Sequence, residues 1–207
     1  MKRILAMLLG ALLLACPALA EEADLQTQAN AAYAEVLAGG QAVRAISDAE
    51  MPAGDAPAYT LQQTPVRFTV LDMNGDGVSD MVLELPQPEE LVILFWSEGK
   101  VLALEAPYRG LLSLKDDGSH TFSSGATDGG VGTIGIDWVE GVPVWNRFVQ
   151  ASVQPVEGAD GETLRIEVDG APADEAAYQA FLAEHEAKLD ALWYDYTEEN
   201  VKLLLGQ

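Results

Sequence analysis

From Val66 to Leu104 the chain reads VRFTVLDMNGDGVSDMVLELPQPEELVILFWSEGKVLAL. Val66, Phe68 and Val70 alternate with Arg67 and Thr69, and Met81, Leu83 and Leu85 alternate with Val82 and Glu84. A period of two belongs to strands, because successive side chains point to opposite faces. Leu91 to Trp96 is apolar throughout, the pattern of a central strand covered on both faces. Ser97-Glu98-Gly99-Lys100 then turns the chain into Val101–Leu104, which predicts a hairpin. Strands joined by turns this short can only pair antiparallel.

The same pattern continues toward the C-terminus. Leu111–Leu114, Lys115-Asp116-Asp117-Gly118 and His120–Phe122 predict a second hairpin. Thr133–Val139, Glu140-Gly141 and Val142–Val149 predict a third, and Leu164–Val168 one more strand closed by Asp169-Gly170. Helical periodicity appears at the two ends. Asp24 to Leu37 is alanine-rich, lacks Gly and Pro, and stops at Gly39-Gly40, which reads as a helix with a glycine cap, laid on the surface of the core by its mostly small apolar residues. After Pro172 the period returns to 3.6. Tyr178, Phe181, Leu182, His185 and Leu189 then form one stripe. Thr197 reads as the N-cap of a last helix, with Val201, Leu203 and Leu204 inward. Residues 46–58 read as a loop by composition. The expected fold is α+β: an antiparallel sheet assembly built from hairpins, with one N-terminal and two C-terminal helices.

Of 207 residues, 33 are acidic and 11 basic, so the formal net charge is −22. Nothing here forms a basic stripe able to displace counterions from phosphates, so nucleic acid is excluded as a partner. An anionic membrane surface would also repel the chain. With 49% hydrophobic residues it can still bury a core. The single cysteine, Cys16, rules out a disulfide framework and a cysteine metal cluster.

Residues 1–20 read as a signal peptide: Lys2-Arg3, an apolar run from Ile4 to Ala15, a break at Pro17, and Ala18-Leu19-Ala20 ahead of Glu21. The apolar run is too short for a mature membrane span, and no later stretch is longer. Residues 21–207 are therefore expected to be one secreted domain, without a transmembrane segment. Leu13-Leu14-Ala15-Cys16 resembles a lipobox, which makes a surface lipoprotein anchored through Cys16 the alternative.

One stretch carries chemistry. In Asp72-Met73-Asn74-Gly75-Asp76-Gly77-Val78-Ser79-Asp80, alternate residues 72, 74 and 76 bring oxygen side chains to one side. Gly77 permits a sharp turn, Val78 can offer its carbonyl, and Asp80 closes the set. Calcium takes 6–8 oxygen ligands, and carboxylates gathered without a cation repel one another. The bland alternative is an Asx-rich hairpin loop without a metal.

The loop resembles an EF-hand loop over nine positions and then departs, with Leu83 where a bidentate Glu would stand. It is more similar to the strand–loop–strand calcium sites of FG-GAP and VCBS-type repeats. That resemblance implies Asp72, Asn74, Asp76 and Asp80 as side-chain ligands of Ca2+, and Val78 through its carbonyl. It does not imply a propeller, because the unit occurs here once. A broader resemblance covers residues 66–207. It is carried by the loop, Tyr108-Arg109-Gly110, the Ser123–Gly130 loop, the Asp169-Gly170 turn, and Trp193-Tyr194 ahead of Thr197-Glu198-Glu199-Asn200. These features are similar to uncharacterised small secreted proteins and lipoproteins of Gram-positive bacteria. The likeness implies an extracellular setting and no particular activity.

Other signals are weaker. Gly130-Val131-Gly132-Thr133-Ile134-Gly135 matches a dinucleotide fingerprint, but β alternation follows it instead of a helix. The Ser123–Gly130 loop around Asp128 reads as a long hairpin connection. His120 sits beside a turn, and His185 is expected as a hydrogen-bonded residue at the core edge; neither has a partner at zinc-ligand spacing. Trp96, Trp138, Trp145 and Trp193 read as core before they read as a sugar platform. Acidic pairs such as Asp137 and Glu140 are abundant by chance. No catalytic residue is assigned.

The expectation is a calcium-binding, non-enzymatic extracellular domain that serves as an interaction or ligand-binding module for an unidentified ligand or protein. The alternative is a secreted hydrolase acting on glycans or peptides. A cleft joining Asp or Glu with Trp, away from the loop, favours the second; a solid core favours the first.

Overall fold

The computed structural model describes residues 16–39, 41–48, 58–86, 91–106, 109–123, 125, 127–158 and 161–206. Lys2-Arg3 and the apolar run Ile4–Ala15 lie outside the described residues, as do Tyr108, Ser124 and Ala126. The fold is α+β, mostly antiparallel, with one N-terminal and two C-terminal helices.

Helix α1 spans Cys16–Leu37. It runs through Ala18-Leu19-Ala20, and Pro17 sits in its first turn. A proline in a first turn gives up an N–H that has no helical partner anyway, so Pro17 is accommodated there. Gly39, at φ 74°, lies just past its end. Ala29, Tyr33 and Val36 recur at helical spacing and are fully buried. The helix is thus part of the core, and its small alanines permit the close approach that seats Tyr33.

Strands β1 (Val43–Ala45), β2 (Ser47–Asp48), β3 (Ala58–Tyr59), β4 (Arg67–Leu71), β5 (Asp80–Glu84), β6 (Leu91–Ser97) and β7 (Lys100–Ala106) come next. They are followed by β8 (His120–Phe122), β9 (Gly129–Val139), β10 (Val142–Gly158), β11 (Gly161–Val168), β12 (Ala171–Pro172) and β13 (Tyr194–Asp195). One sheet has the order β13-β4-β5-β6-β7-β1-β3, the other β12-β11-β10-β9-β8. The hairpin turns are those the dipeptides predict. Glu98-Gly99, Glu140-Gly141 and Asp169-Gly170 all have positive φ at both residues, the geometry that matches the twist of two-residue hairpins.

The first sheet is covered on both sides. Met81, Leu83, Val92, Leu94, Trp96, Val101 and Ala103 face α1. Val82, Ile93, Phe95, Leu102 and Leu104 face the other way, onto Leu111, Leu114 and Ile134. Thr69 and Val82 are therefore buried, although the alternation alone leaves that face to solvent.

Two parallel pairs depart from the all-antiparallel expectation. β1 lies parallel to β7, Ile46 donates its N–H to the Ala103 carbonyl at 2.8 Å, and β2 lies parallel to β10. Residues 43–48 thus cross from one sheet to the other, and part of the expected 46–58 loop is strand. The antiparallel rule holds for neighbours joined by short turns; this segment comes from far away in sequence, so no turn restricts its direction. Residues 49–57 lie outside the described residues.

The glycines of 130–135 serve the β9–β10 pairing, as β alternation implied. A Cβ on Gly130 would stand 2.2 Å from the Ala151 carbonyl oxygen, and one on Gly135 would stand 2.2 Å from the Phe148 ring. Gly130→Ala is expected to destabilise the domain by roughly 1–3 kcal/mol, because its obstacle is backbone. Urea unfolding checks this, and an unchanged midpoint contradicts it.

Helix α2 (Glu175–Glu186) is capped by Asp174, whose side chain accepts from Ala177 N at 2.9 Å. Tyr178 and His185 are buried, but Leu189 lies beyond the helix and is 72% exposed. Helix α3 (Glu198–Leu205) is capped by Thr197 as expected. Val201 and Leu204 pack against the core as expected, but Leu203 is 71% exposed and Leu205 is the buried residue in its place.

Candidate functional site

The 72–80 loop joins β4 to β5 at one end of their ladder, where Leu71 faces Asp80. Its first half is a nest of Asx turns. Asp72 Oδ1 accepts from Gly75 N at 2.7 Å and Asp76 N at 3.2 Å, and Oδ2 accepts from Gly77 N at 2.9 Å. Asn74 Nδ2 donates to Asp76 Oδ2 at 2.9 Å, and Asp76 Oδ1 accepts from Val78 N at 2.8 Å. Gly75 and Gly77 take φ 76° and 86°, which lets the loop close this tightly. Asp72, Asn74 and Asp76 thus meet near the surface. The Val78 side chain goes into the core, leaving its backbone in the loop.

Asp80 stands apart from the other four. It is completely buried, and its Oδ2 accepts from Met73 N at 2.9 Å and its Oδ1 from Trp96 N at 3.4 Å. Burial pushes its pKa well up, and the nearby Asp76 and Asp72 carboxylates push the same way; the Met73 and Trp96 N–H groups oppose them. The Tyr33 hydroxyl is raised likewise, by burial first and then by Asp80 and Asp76. Among the described residues, no Lys or Arg pairs with Asp72, Asp76 or Asp80. Also among them, no three His, Cys, Asp or Glu groups converge closely enough to hold an ion alone. A bound ion would therefore need the Asn74 and Val78 oxygens and a closing movement of the loop. The donor set, all hard oxygens with uncompensated negative charge, fits calcium in its chemistry.

Two contributors were missed in the sequence. Gln26 Oε1, on α1, accepts from Ser79 N at 2.7 Å, and Tyr33 lies against Asp80. They are seven residues apart, two helical turns, on the stripe that also carries Ala29 and Val36; that spacing was the available signal. Gly118 is the third wall, where a Cβ would stand 2.8 Å from the Asp72 carbonyl oxygen.

A cleft of about 660 Å³ opens at the other end of the β4–β5 ladder. The two ends are four ladder steps apart, roughly 13 Å at strand rise. Arg67 and Glu84 form one wall, joined at 2.5 Å, and the Arg67 guanidinium sits 4.7 Å from the centre of the Trp193 ring. The segment before β13 forms the other wall. Ala191 N donates to the Leu114 carbonyl at 3.0 Å, and Asp190 bridges to Lys115. Lys115 Nζ is buried below, 2.7 Å from Asp190 and 3.9 Å from Glu186. Acids and a tryptophan therefore do share a cleft away from the loop.

The histidines are more buried than expected. His120 is completely buried with Nδ1 3.2 Å from the Gly118 carbonyl, and its Nε2 has no partner among the described residues. Burial, then the Arg147 and His185 charges, push its pKa down to about 4 against the Gly118 bond. His185 lies near the Ser119 backbone, yet neither ring nitrogen makes a well-formed hydrogen bond there. Its expected place at a hydrogen-bonded edge is replaced by the interior. Trp96 belongs to the core on the α1 side, while Trp138, Trp145 and Trp193 border the opposite core, so the four form no shared platform. Asp137 and Glu140 are exposed, and Asp137 accepts a hydrogen bond from the Asn146 side chain.

The arrangement is that of a two-sheet α+β domain with an acidic turn at one end of its central ladder and a charged, aromatic cleft at the other. No protein-family model, curated protein or solved structure matches the chain. No described helix is long and apolar enough to cross a membrane.

Proposed function

We propose that residues 72–80 bind one calcium ion, and that the ion stabilises a secreted, non-enzymatic binding domain. The supporting observation is the carboxylate set: Asp72, Asp76 and a fully buried Asp80 in one loop, with no cationic side chain against them among the described residues. Asp72, Asn74, Asp76 and Asp80 supply side-chain oxygens in this reading, and Val78 its carbonyl. The loop's likeness to extracellular calcium turns and the N-terminal signal pattern point to the same setting, with surface anchoring through Cys16 as the alternative route.

Without a twelfth-position Glu, water completes the shell and affinity falls to about 10⁻⁴–10⁻³ M. Such a site fills at extracellular calcium levels and acts structurally. At ten times the dissociation constant the linkage is about 1.4 kcal/mol, so chelation lowers the melting temperature by a few degrees without unfolding the domain. Calorimetry and melting curves in excess calcium and in excess chelator test this, and identical curves end the proposal. Asp76→Ala removes the calcium dependence and keeps the fold.

The second reading, a hydrolase, is favoured by the cleft with Trp193, Glu84, Glu186 and Asp190. Weighing against it, Glu84 is held by Arg67, and Asp190 and Glu186 by Lys115. A general acid is made by an apolar, desolvated setting, and none of these three has one.

A further inference from the structure

We infer that the cleft beside Trp193 binds a small molecule or chain end in which an apolar or aromatic body carries one carboxylate, with Arg109 as the group that reads the carboxylate. The inference extends the binding-module reading and does not depend on the ion in the loop, which lies at the opposite end of the β4–β5 ladder.

Volume and lining set the size and character of the ligand. About 660 Å³ lies within the range of small-molecule sites. Leu91, Leu111, Leu114 and the half-buried Trp193 supply apolar surface. Most of the charges are already engaged. Arg67 holds Glu84, and Lys115 holds Asp190 and Glu186. Arg109 remains: it is exposed, it lines the cleft, and its side chain has no ion-pair or hydrogen-bond partner among the described residues. Lys115 is one cation against two carboxylates, so the charges of the cleft balance overall, and Arg109 is the one cation lining it that has no ion-pair partner among the described residues and can receive an anion. The planar fork of Arg matches a carboxylate in bidentate fashion.

The backbone holds Arg109 in place. Five described non-glycine residues have positive φ, and three of them begin the X-Gly hairpin turns. The other two, Arg109 at φ 59° and Ser113 at φ 42°, both line this cleft. Such strain is retained where surrounding bonds over-determine it. Here Ser123 N donates to the Arg109 carbonyl at 3.0 Å, and Arg147 Nη2 donates to the Gly110 carbonyl at 2.9 Å. Arg109 is thus mounted on a braced segment of the cleft that Trp193 also lines, and only the tertiary fold puts the two in one cleft.

Tryptophan fluorescence and calorimetric titration of the mature protein test this, with N-acetylphenylalanine and phenylacetate as probes and the amide of each as its control. Both acids are expected to bind, each roughly 10- to 100-fold tighter than its amide, the difference between a charge-assisted pair and its neutral counterpart. Binding of N-acetylphenylalanine without phenylacetate assigns the site to peptide chain ends; binding of both includes free organic acids. Arg109→Asn keeps a residue that tolerates the left-handed backbone and should abolish the preference for acid over amide with an unchanged melting temperature. Equal binding of acids and amides, no binding of either acid, or wild-type discrimination by Arg109→Asn overturns the proposal. The same titration on Asp76→Ala should give the same affinities, so failure of the calcium reading and failure of this one are separate results.

Discussion

Acidification from pH 7 to about pH 4 is expected to remove about 3 kcal/mol of stability through His120 alone. The folded protein holds this imidazole neutral, with its pKa pushed down to about 4 by burial first and then by Arg147 and His185, from 6.5 in an open chain. A group whose folded pKa is depressed contributes stability that is complete above the unfolded value. That stability is lost as pH falls from about 6.5 through about 4, because the unfolded chain takes up the proton first. The gap between the two values, at 1.36 kcal/mol per unit, sets the size. Burial shifts His185 in the same direction, so it adds to the loss. Asp117 titrates lower: against its partial burial, the Lys188 and Ser119 hydrogen bonds hold it down to about 2. Urea midpoints of wild type and His120→Gln across this range measure the effect. The variant should lose markedly less stability on acidification, and parallel curves would sink the argument.

The second large effect is a change of sign at Asp80. In chelator, Asp80→Asn is expected to raise stability, by roughly 1–2 kcal/mol or several degrees in melting temperature. The amide keeps an oxygen acceptor for Met73 N and removes a buried charge facing Asp76 and Asp72. In excess calcium the same substitution should leave the variant below the wild type, because a ligand has been lost. Asp76→Ala, at an exposed position, should remove the calcium dependence with little change in chelator. Melting curves of the three proteins in both conditions decide the point. An Asp80→Asn protein less stable than wild type in chelator would show that the carboxylate is needed for its two backbone bonds, independent of any ion.

Local order was legible. The Glu98-Gly99, Glu140-Gly141 and Asp169-Gly170 dipeptides predict their turns because few sequences accept two successive positive φ values. The Leu91–Trp96 run predicts a strand covered on both faces because a continuous apolar run cannot leave either face in water. The Thr197 cap and the Asp72–Asp80 spacing are equally local. The register of α3 was harder to read, because Leu203 and Leu205 are both acceptable to a helix and only the neighbouring sheet chooses between them. The 3.6-residue stripe extends to Leu189, but the helix ends at Glu186 and cuts it short.

What the residues decide alone is therefore whatever a few neighbouring φ, ψ and side-chain patterns specify: strands, turns, caps, and the donor spacing of the loop. What the tertiary structure adds depends on where distant segments come to rest. It carries residues 43–48 across both sheets in parallel, sets Gln26 and Tyr33 of α1 over the acidic loop, buries His120 with His185, and joins Arg67, Arg109 and Trp193 in one cleft. No short-range rule reaches these contacts. They follow from packing two sheets and a helix around shared cores, where position in space has replaced position in sequence.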